Sequence, residues 1–307
     1  LIHNMLFESK KSSYNSIDFE KLIRILSSHL IIPSFYVRSS EKKVLHKFPK
    51  DFSKYIKYIY GFNLKRNKIL LNEITQINEL IKKNKIEASF LKGCQIINKK
   101  IYKNTGERMI GDIDIIVSKS EKYKFLKLLN NLGYRSNFLY VVWQTKHLPP
   151  LINKSKLFTI DLHSELLIYR KRKNLLGNDF LNNNNNLKFI IYSIILNFQI
   201  NDYGHLKCIY SYRSINDFII LYRLKKIKFH KENNKYVKRY LLITNCLGIT
   251  SFNIKLNFFD KLYMKRFFLK KRYKFFRVID NLFCEIKLKS PIIFMQVIEL
   301  ICNSNYR

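Results

Sequence analysis

Two aspartates one residue apart are the first feature of this sequence that could carry chemistry. Asp112 and Asp114 lie in the largely apolar segment 108–117. Alternate side chains of a β-strand point to the same face, so both carboxylates would share one face of a sheet. Adjacent carboxylates repel each other, and a divalent cation such as Mg²⁺ relieves that repulsion while also binding phosphate oxygens. The pair therefore indicates a metal site that handles phosphate.

The same aspartates have a plain structural alternative. On a solvated edge strand they would need no cation, and Asp112 could instead cap a turn after Gly111. Asp161, which alternates with apolar neighbours in 157–163, could likewise be an ordinary surface residue. Chemistry is favoured because the aspartates occur together with further motifs.

Hydrophobic spacing around these residues predicts a small unit of mixed helices and strands. Its predicted elements are a strand at 86–91, a helix at 94–102, a strand at 111–117, a helix ending at Gly133, and strands within 134–143 and 157–163. Ser118 and Glu121 have the spacing of a capping box for the second helix.

Helical spacing dominates on both sides of this unit. Residues 17–31 and 68–84 carry apolar stripes typical of helices, whereas 32–66 are basic and aromatic with poor periodicity. An asparagine run at 182–186 is the best candidate linker. We therefore predict an α+β protein with an N-terminal helical region at 1–85, a core at 86–181 and a helical C-terminal domain at 187–307.

The chain is strongly basic, with 57 Lys and Arg against 22 acids and a net charge of +35. Such a charge attracts nucleic acid, nucleotides or anionic lipid. The alternative is compositional bias, because Lys, Asn, Ile, Phe and Tyr are all abundant. In 254–277 basic and aromatic residues interleave, which suits a nucleic-acid platform. We favour a helix with Phe259, Tyr263 and Phe267 facing the core; a membrane-surface helix is a weaker third alternative.

Five scattered cysteines without a C-x-x-C pair argue against a disulfide framework and a zinc site. They indicate a reducing compartment, and we expect a cytoplasmic location. No signal peptide is visible, and the apolar runs at 189–200 and 291–302 are too short to span a bilayer. Because the chain begins with Leu1, we expect a native start upstream of it or at Met5.

The order of these motifs resembles a known superfamily. The segments that carry the resemblance are Leu91-Lys92-Gly93, Arg108 with Gly111-Asp112-x-Asp114, and Asp161-Leu162-His163. They are similar to the DNA polymerase beta-type nucleotidyltransferases, and more similar still to a family of uncharacterised bacterial nucleotidyltransferases. Further matching positions are Tyr102, Gly133, Tyr134, His147 and Pro149. The resemblance covers about 68–225, roughly half of the chain.

The resemblance implies a polymerase beta-like core that moves a nucleoside monophosphate from an NTP, such as ATP, to an acceptor and releases pyrophosphate. Asp112, Asp114 and Asp161 would be the catalytic residues and would hold two Mg²⁺ or Mn²⁺ ions. Asp161 or a metal-held water would take the acceptor's proton. The acceptor would be a small molecule, a peptide or protein, or tRNA.

The resemblance also implies a nucleotide-binding set of Lys92, Gly93, Arg108 and Gly111. The triphosphate would lie over Gly93, where a missing side chain lets phosphate approach the helix N-terminus. Lys92 and Arg108 would neutralise the leaving pyrophosphate. The superfamily usually has Ser after this glycine, and a thiol at Cys94 donates hydrogen bonds poorly, so backbone N–H groups would do the binding.

These residues also have structural alternatives. Lys92 could be a solvated lysine at a strand end, and Arg108 could hold the loop by pairing with Asp112 or Asp114. Two histidines, His163 and His147, could support the metal site, although structural hydrogen bonds explain them better. Asp217 matches an acidic position of the relatives, and there we favour helix packing.

Two other functions stay open at this point. One is a non-catalytic, basic nucleic-acid-binding protein that retains the fold. The other is a toxin-like transferase that acts on tRNA.

Overall fold

The computed structural model describes residues 1–7, 17–136, 149–167, 186–225, 229 and 233–302, with 225 and 291–302 described by their backbone only. Within these residues the chain is an α+β protein in which a five-stranded mixed sheet is flanked by helices on both sides in sequence. The predicted fold class is confirmed.

The helices are α1 (Ile2–Phe7), α2 (Phe19–Ser28), α3 (Ile32–Glu41), α4 (Lys50–Lys83), α5 (Lys92–Asn98), α6 (Lys122–Asn131), α7 (Leu187–Leu196), α8 (Gly204–Lys207), α9 (Tyr212–Lys225), α10 (Lys235–Cys246), α11 (Phe258–Arg272) and α12 (Lys274–Cys302). A π-helical turn, Asn197–Asn201, extends α7. Gly133 ends α6 with a φ of +85°, as its position predicts. Among the helices described, none combines the length and apolarity needed to cross a bilayer.

The strands are β1 (Ala88–Phe90), β2 (Ile113–Val117), β3 (Arg135–Ser136), β4 (Leu151–Ile152) and β5 (Ile160–His163), in the spatial order β1-β2-β5-β4-β3. β2 and β5 pair in parallel, and the other described pairs are antiparallel. The parallel register sets Asp114 beside Asp161. His163, two residues on, shares their face, while Ile113 and Ile115 are fully buried on the other.

Residues 32–66, whose sequence shows poor periodicity, form α3 and the first half of α4. The physical reason lies in two buried asparagines of α4. Asn63 and Asn67 donate from their side-chain amides to the carbonyl oxygen of Arg108 at 3.1 and 2.8 Å, and to neighbouring carbonyls of the same loop. A buried polar face interrupts the apolar stripe that identifies an amphipathic helix.

The described residues form two large hydrophobic cores. One packs α5, α6 and the second half of α4 against the sheet. The other joins α1–α3 and the first half of α4 to α7, α9, α10 and α11. Helices from both ends of the described chain therefore pack together, and α4 runs through both cores. The division into three regions at 85/86 and 181/187 stays a prediction.

Glu107 is a fully buried carboxyl in the loop that leads to β2. Arg38 donates from Nη2 to Oε1 at 2.9 Å, and Oε2 has no hydrogen-bond partner among the described groups. Burial raises the pKa of Glu107 to about 7 even though Arg38 opposes the shift. The folded state therefore binds this proton more tightly than the unfolded state does.

We expect Glu107→Gln to remove one pH dependence of stability. As pH rises from about 4.5 to about 7, Glu107 alone should cost the wild type up to about 3 kcal/mol of unfolding free energy. The amide cannot ionise and should lose none of it. Urea denaturation of both proteins across this range measures the effect. A constant difference between them would contradict the prediction.

Candidate functional site

Three side chains of ligand type meet on the parallel strands. Asp114, Asp161 and His163 each offer one ligand atom, and these atoms all lie within 4.8 Å of one another. Asp114 and His163 are buried, whereas Asp161 is half-buried and so stays accessible. The parallel register brings them together, because it sets Asp114 directly beside Asp161. This donor set could hold a metal ion.

Asp114 is held ionised by two neighbours. Lys92 donates from Nζ to Asp114 Oδ1 at 2.5 Å, and His163 Nε2 lies 2.8 Å from the same oxygen. Burial alone would raise the pKa of Asp114, but the hydrogen bond with His163 and the charge of Lys92 outweigh it and lower that pKa. Asp114 is therefore ionised, as a metal ligand has to be.

Asp112 lies immediately before β2, half-buried, and outside that group of ligand atoms. Burial raises its pKa, and the negative charges of Asp114 and Asp161 raise it further, so the three carboxyls interact electrostatically. Two of the three ligands expected from the sequence thus meet directly, and His163 joins them. The spacing of Asp161 and His163, which places both on one strand face, is the signal that points to this.

Lys92 opens α5 with a left-handed backbone, φ +48°. This conformation is unfavourable for a residue with a side chain, and such strain concentrates at functional sites. At Gly93, an added Cβ would lie 3.0 Å from Cγ1 of Ile110, so the glycine permits close packing of α5 on the loop before β2. Gly111 is exposed, and a Cβ there would meet nothing within 4 Å.

Cys94, the residue after Gly93, has a structural contact. Its Sγ donates to the carbonyl oxygen of Asp112 at 3.3 Å. Burial raises the pKa of this thiol far above its usual value, which keeps it protonated and able to donate. Cys94 therefore fixes the backbone that carries Asp112.

Arg108 is buried, and its ion-pair partner among the described residues is Asp217 of α9 rather than Asp112 or Asp114. Arg108 Nε donates to both carboxylate oxygens of Asp217, at 2.8 and 3.0 Å. Tyr102 donates its hydroxyl to Asp217 at 2.6 Å. Asp217 thus anchors the loop before β2 to the helical side of the molecule, in agreement with the packing role favoured from the sequence.

These residues border a cleft between the sheet and the helices α7 and α9. The sheet side contributes Lys92, Gly93, Arg108, Gly111, Asp112 and Asp114, and the helical side contributes Asp202, Arg213 and Asp217. Every nucleotide-binding residue expected from the sequence lies on this cleft. His147 falls outside the described residues.

Arg213 is the cleft residue that sequence analysis missed. It is half-buried on α9, and within the described part of the chain no hydrogen bond or ion pair engages its guanidinium. Burial lowers its pKa, and the positive charge of Arg108 lowers it further. Asp217 neutralises Arg108 but leaves Arg213 without a bonded counter-ion, so an anion in the cleft would be stabilised there. No local motif marks this arginine in the sequence.

Comparison with known proteins locates the same segment. A model of a family described as uncharacterised nucleotidyltransferases matches residues 15–192, more than half of the chain. No curated protein and no solved structure matches the chain. The matched segment contains Lys92, Arg108 and the cluster of Asp114, Asp161 and His163. Arg213 and Asp217 lie beyond it.

We expect Asp217→Ala to lower the free energy of unfolding by about 3–5 kcal/mol, because it leaves Arg108 buried without a counter-charge. The double variant Arg108→Met with Asp217→Leu should recover to within about 2 kcal/mol of the wild type, since it removes both charges and refills the space. Urea denaturation of Asp217→Ala measures the first loss. Urea denaturation of the double variant, and of Arg108→Met and Asp217→Leu alone, gives the coupling energy. Additive losses would show that the two residues do not act as a pair.

Proposed function

Because this chain belongs to the family of uncharacterised nucleotidyltransferases, we propose that it transfers a nucleoside monophosphate from an NTP to an acceptor and releases pyrophosphate. The observation that carries the proposal is the pairing of Asp114 with Asp161 across parallel strands, beside a cleft with Lys92 on one wall and Arg213 on the other. For the acceptor we retain a small molecule, a peptide or protein, and tRNA.

The donor set fits a hard divalent cation. Asp114 and Asp161 offer carboxylate oxygens, which Mg²⁺ and Mn²⁺ favour over imidazole nitrogen. We therefore assign Asp112, Asp114 and Asp161 as the metal ligands and His163 as the residue that orients Asp114 by its hydrogen bond. Two bound ions would neutralise the phosphates and polarise the bond that breaks.

The chain's own residues have separate roles in this proposal. Lys92, Gly93, Arg108 and Gly111 border the space for the triphosphate, and the Lys92 ammonium balances charge on the leaving pyrophosphate. Asp161 takes the acceptor's proton, which its half-buried position allows.

Arg213 extends this set from the opposite wall of the cleft. Its guanidinium has the fork of donors that suits phosphate oxygens, and it lacks a bonded carboxylate within the described residues. A phosphate between α9 and α5 would therefore contact cations on both walls. This arrangement favours a polyphosphate over a singly charged ligand.

The test of the proposed activity is Asp114→Asn. Pyrophosphate release, measured with each NTP, Mg²⁺ and cell extract as the source of acceptor, should fall about 100-fold or more. Binding of Mn²⁺, followed by its paramagnetic resonance, should weaken in parallel. Asp51→Asn, an exposed carboxylate in the first turn of α4, is the matched control and should change neither. Equal release by a folded Asp114→Asn protein would exclude the mechanism.

For Arg213→Gln we expect the KM for the NTP to rise about tenfold while kcat changes less, because one charge-assisted contact to phosphate is lost. Arg223→Gln on the same helix is the control, since Arg223 is exposed and lies off the cleft. An unchanged KM for Arg213→Gln would place the phosphates elsewhere.

A further inference from the structure

The two C-terminal helices expose a large apolar stripe. Its members on α12, which are between 49% and 78% exposed, are Phe275, Val278, Ile279, Leu282, Phe283 and Ile286. Consecutive members are one or three residues apart and alternate members are four apart, so they form a single stripe along one side of the helix. We call these six residues the α12 stripe. A contiguous apolar surface of this kind on a folded protein marks an interaction site.

The acidic side chains of both helices are engaged elsewhere. Asp260 of α11 is buried against Lys238 and Arg239. Asp280 of α12 binds Arg266 of α11 at 2.6 Å. These two and one other carboxylate are the only acids in 251–290, where every side chain is described.

That third acid, Glu285, pairs with Lys207 of α8 at 2.7 Å. No unpaired carboxylate therefore accompanies the stripe within 251–290. The bonds to α8 and α11 also fix the rotation of α12, which keeps its apolar side turned outward.

The remaining charges on this surface are positive. The exposed lysines and arginines of the two helices and the segment before them are Lys255, Lys261, Lys265, Lys271, Arg272, Lys274, Arg277, Lys287 and Lys289. A groove on α11 repeats the composition, with Leu256, Met264 and Phe268 beside Lys261, Lys265 and Arg272. The face formed by α11 and α12 thus combines exposed apolar side chains with exposed cations, and every acid within 251–290 is paired.

We propose that this face docks on an anionic membrane surface, with the α12 stripe entering the acyl boundary and the surrounding lysines contacting lipid phosphates and carboxylates. An amphipathic helix lies in the interface when its apolar side chains reach the hydrocarbon edge and its basic ones stay at the headgroups. Each lysine near an anionic bilayer adds attraction, so the two parts act together. This proposal is independent of the nucleotidyl transfer proposed above.

The chemistry of the stripe favours lipid over the other polyanions and over a second copy of the chain. Four of its six residues, Val278, Ile279, Leu282 and Ile286, are aliphatic. Single-stranded nucleic acid is bound by aromatic stacking, which within the stripe only Phe275 and Phe283 could supply. Self-association through the stripe would bring the exposed cations of two copies of the chain close together, which costs electrostatic energy.

The test is flotation of the full chain with vesicles of phosphatidylcholine containing about 30% phosphatidylserine, and with phosphatidylcholine alone. We expect binding to the anionic vesicles that weakens with salt, and little binding to the neutral ones. Leu282→Asp should reduce the vesicle affinity at least tenfold, because it removes buried apolar area and adds a repelled charge. Phe62→Asp, an equally exposed apolar position on α4, should bind as the wild type does.

Three results would overturn the proposal. The first is equal vesicle binding by a Leu282→Asp protein whose circular dichroism and melting temperature match the wild type. The second is a chain that ignores vesicles but binds a mixed-sequence RNA oligonucleotide through the same residues. The third is a dimer, seen by light scattering, that Leu282→Asp dissociates.

Discussion

The parallel pairing of β2 and β5 sets two carboxylates, Asp114 and Asp161, side by side on one face of the sheet. The other residues of the site compensate for the repulsion between them. Buried like charges repel strongly because the local dielectric constant is low. Lys92 and His163 both engage Asp114 and keep it ionised. A cation bound by Asp114 would compete with Lys92 for the same oxygen, which would turn the lysine toward an anion beside the metal. Metal and phosphate binding would then support each other.

A second constraint explains why so much helix surrounds a small sheet. The loop before β2 has to approach α5 closely and hold its carbonyl groups inside the molecule, where each needs a hydrogen bond. Asn63 and Asn67 supply donors from α4, and Asp217 of α9 holds Arg108. The helices before and after the sheet therefore both hold the loop before β2 by hydrogen bonds. The cleft lies between this loop and the helices α7 and α9, so the helices after the sheet shape the site although the sheet carries the carboxylates.

Sequence alone could predict the parts of this site that follow from local periodicity. Alternation placed Asp114 and Asp161 on strands, and glycine marked the end of α6. Residues whose role depends on tertiary contacts could not be predicted from the sequence. The middle of α4 buries Asn63 and Asn67, which interrupt its apolar stripe. Arg213 could be recognised only because α9 faces the cleft. In the basic and aromatic segment, Tyr263 and Phe267 are buried as expected, but Phe259, in the first turn of α11, is 66% exposed.

The positions of the acids determine where the positive charge of this protein lies. Asp114, Asp217 and Asp260 are buried and paired with bases. Lysines outnumber acids among the exposed residues that the structure describes. A cationic exterior gathers NTPs, nucleic acid and anionic lipid alike, since long-range attraction depends on charge and little on shape. Discrimination must therefore come from contacts made at short range. In the two proposals, Arg213 inside the cleft would select for phosphate that fits between two walls, whereas Leu282 and its neighbours would select for a hydrocarbon boundary. Two surfaces can thus share one electrostatic field and still bind different anions.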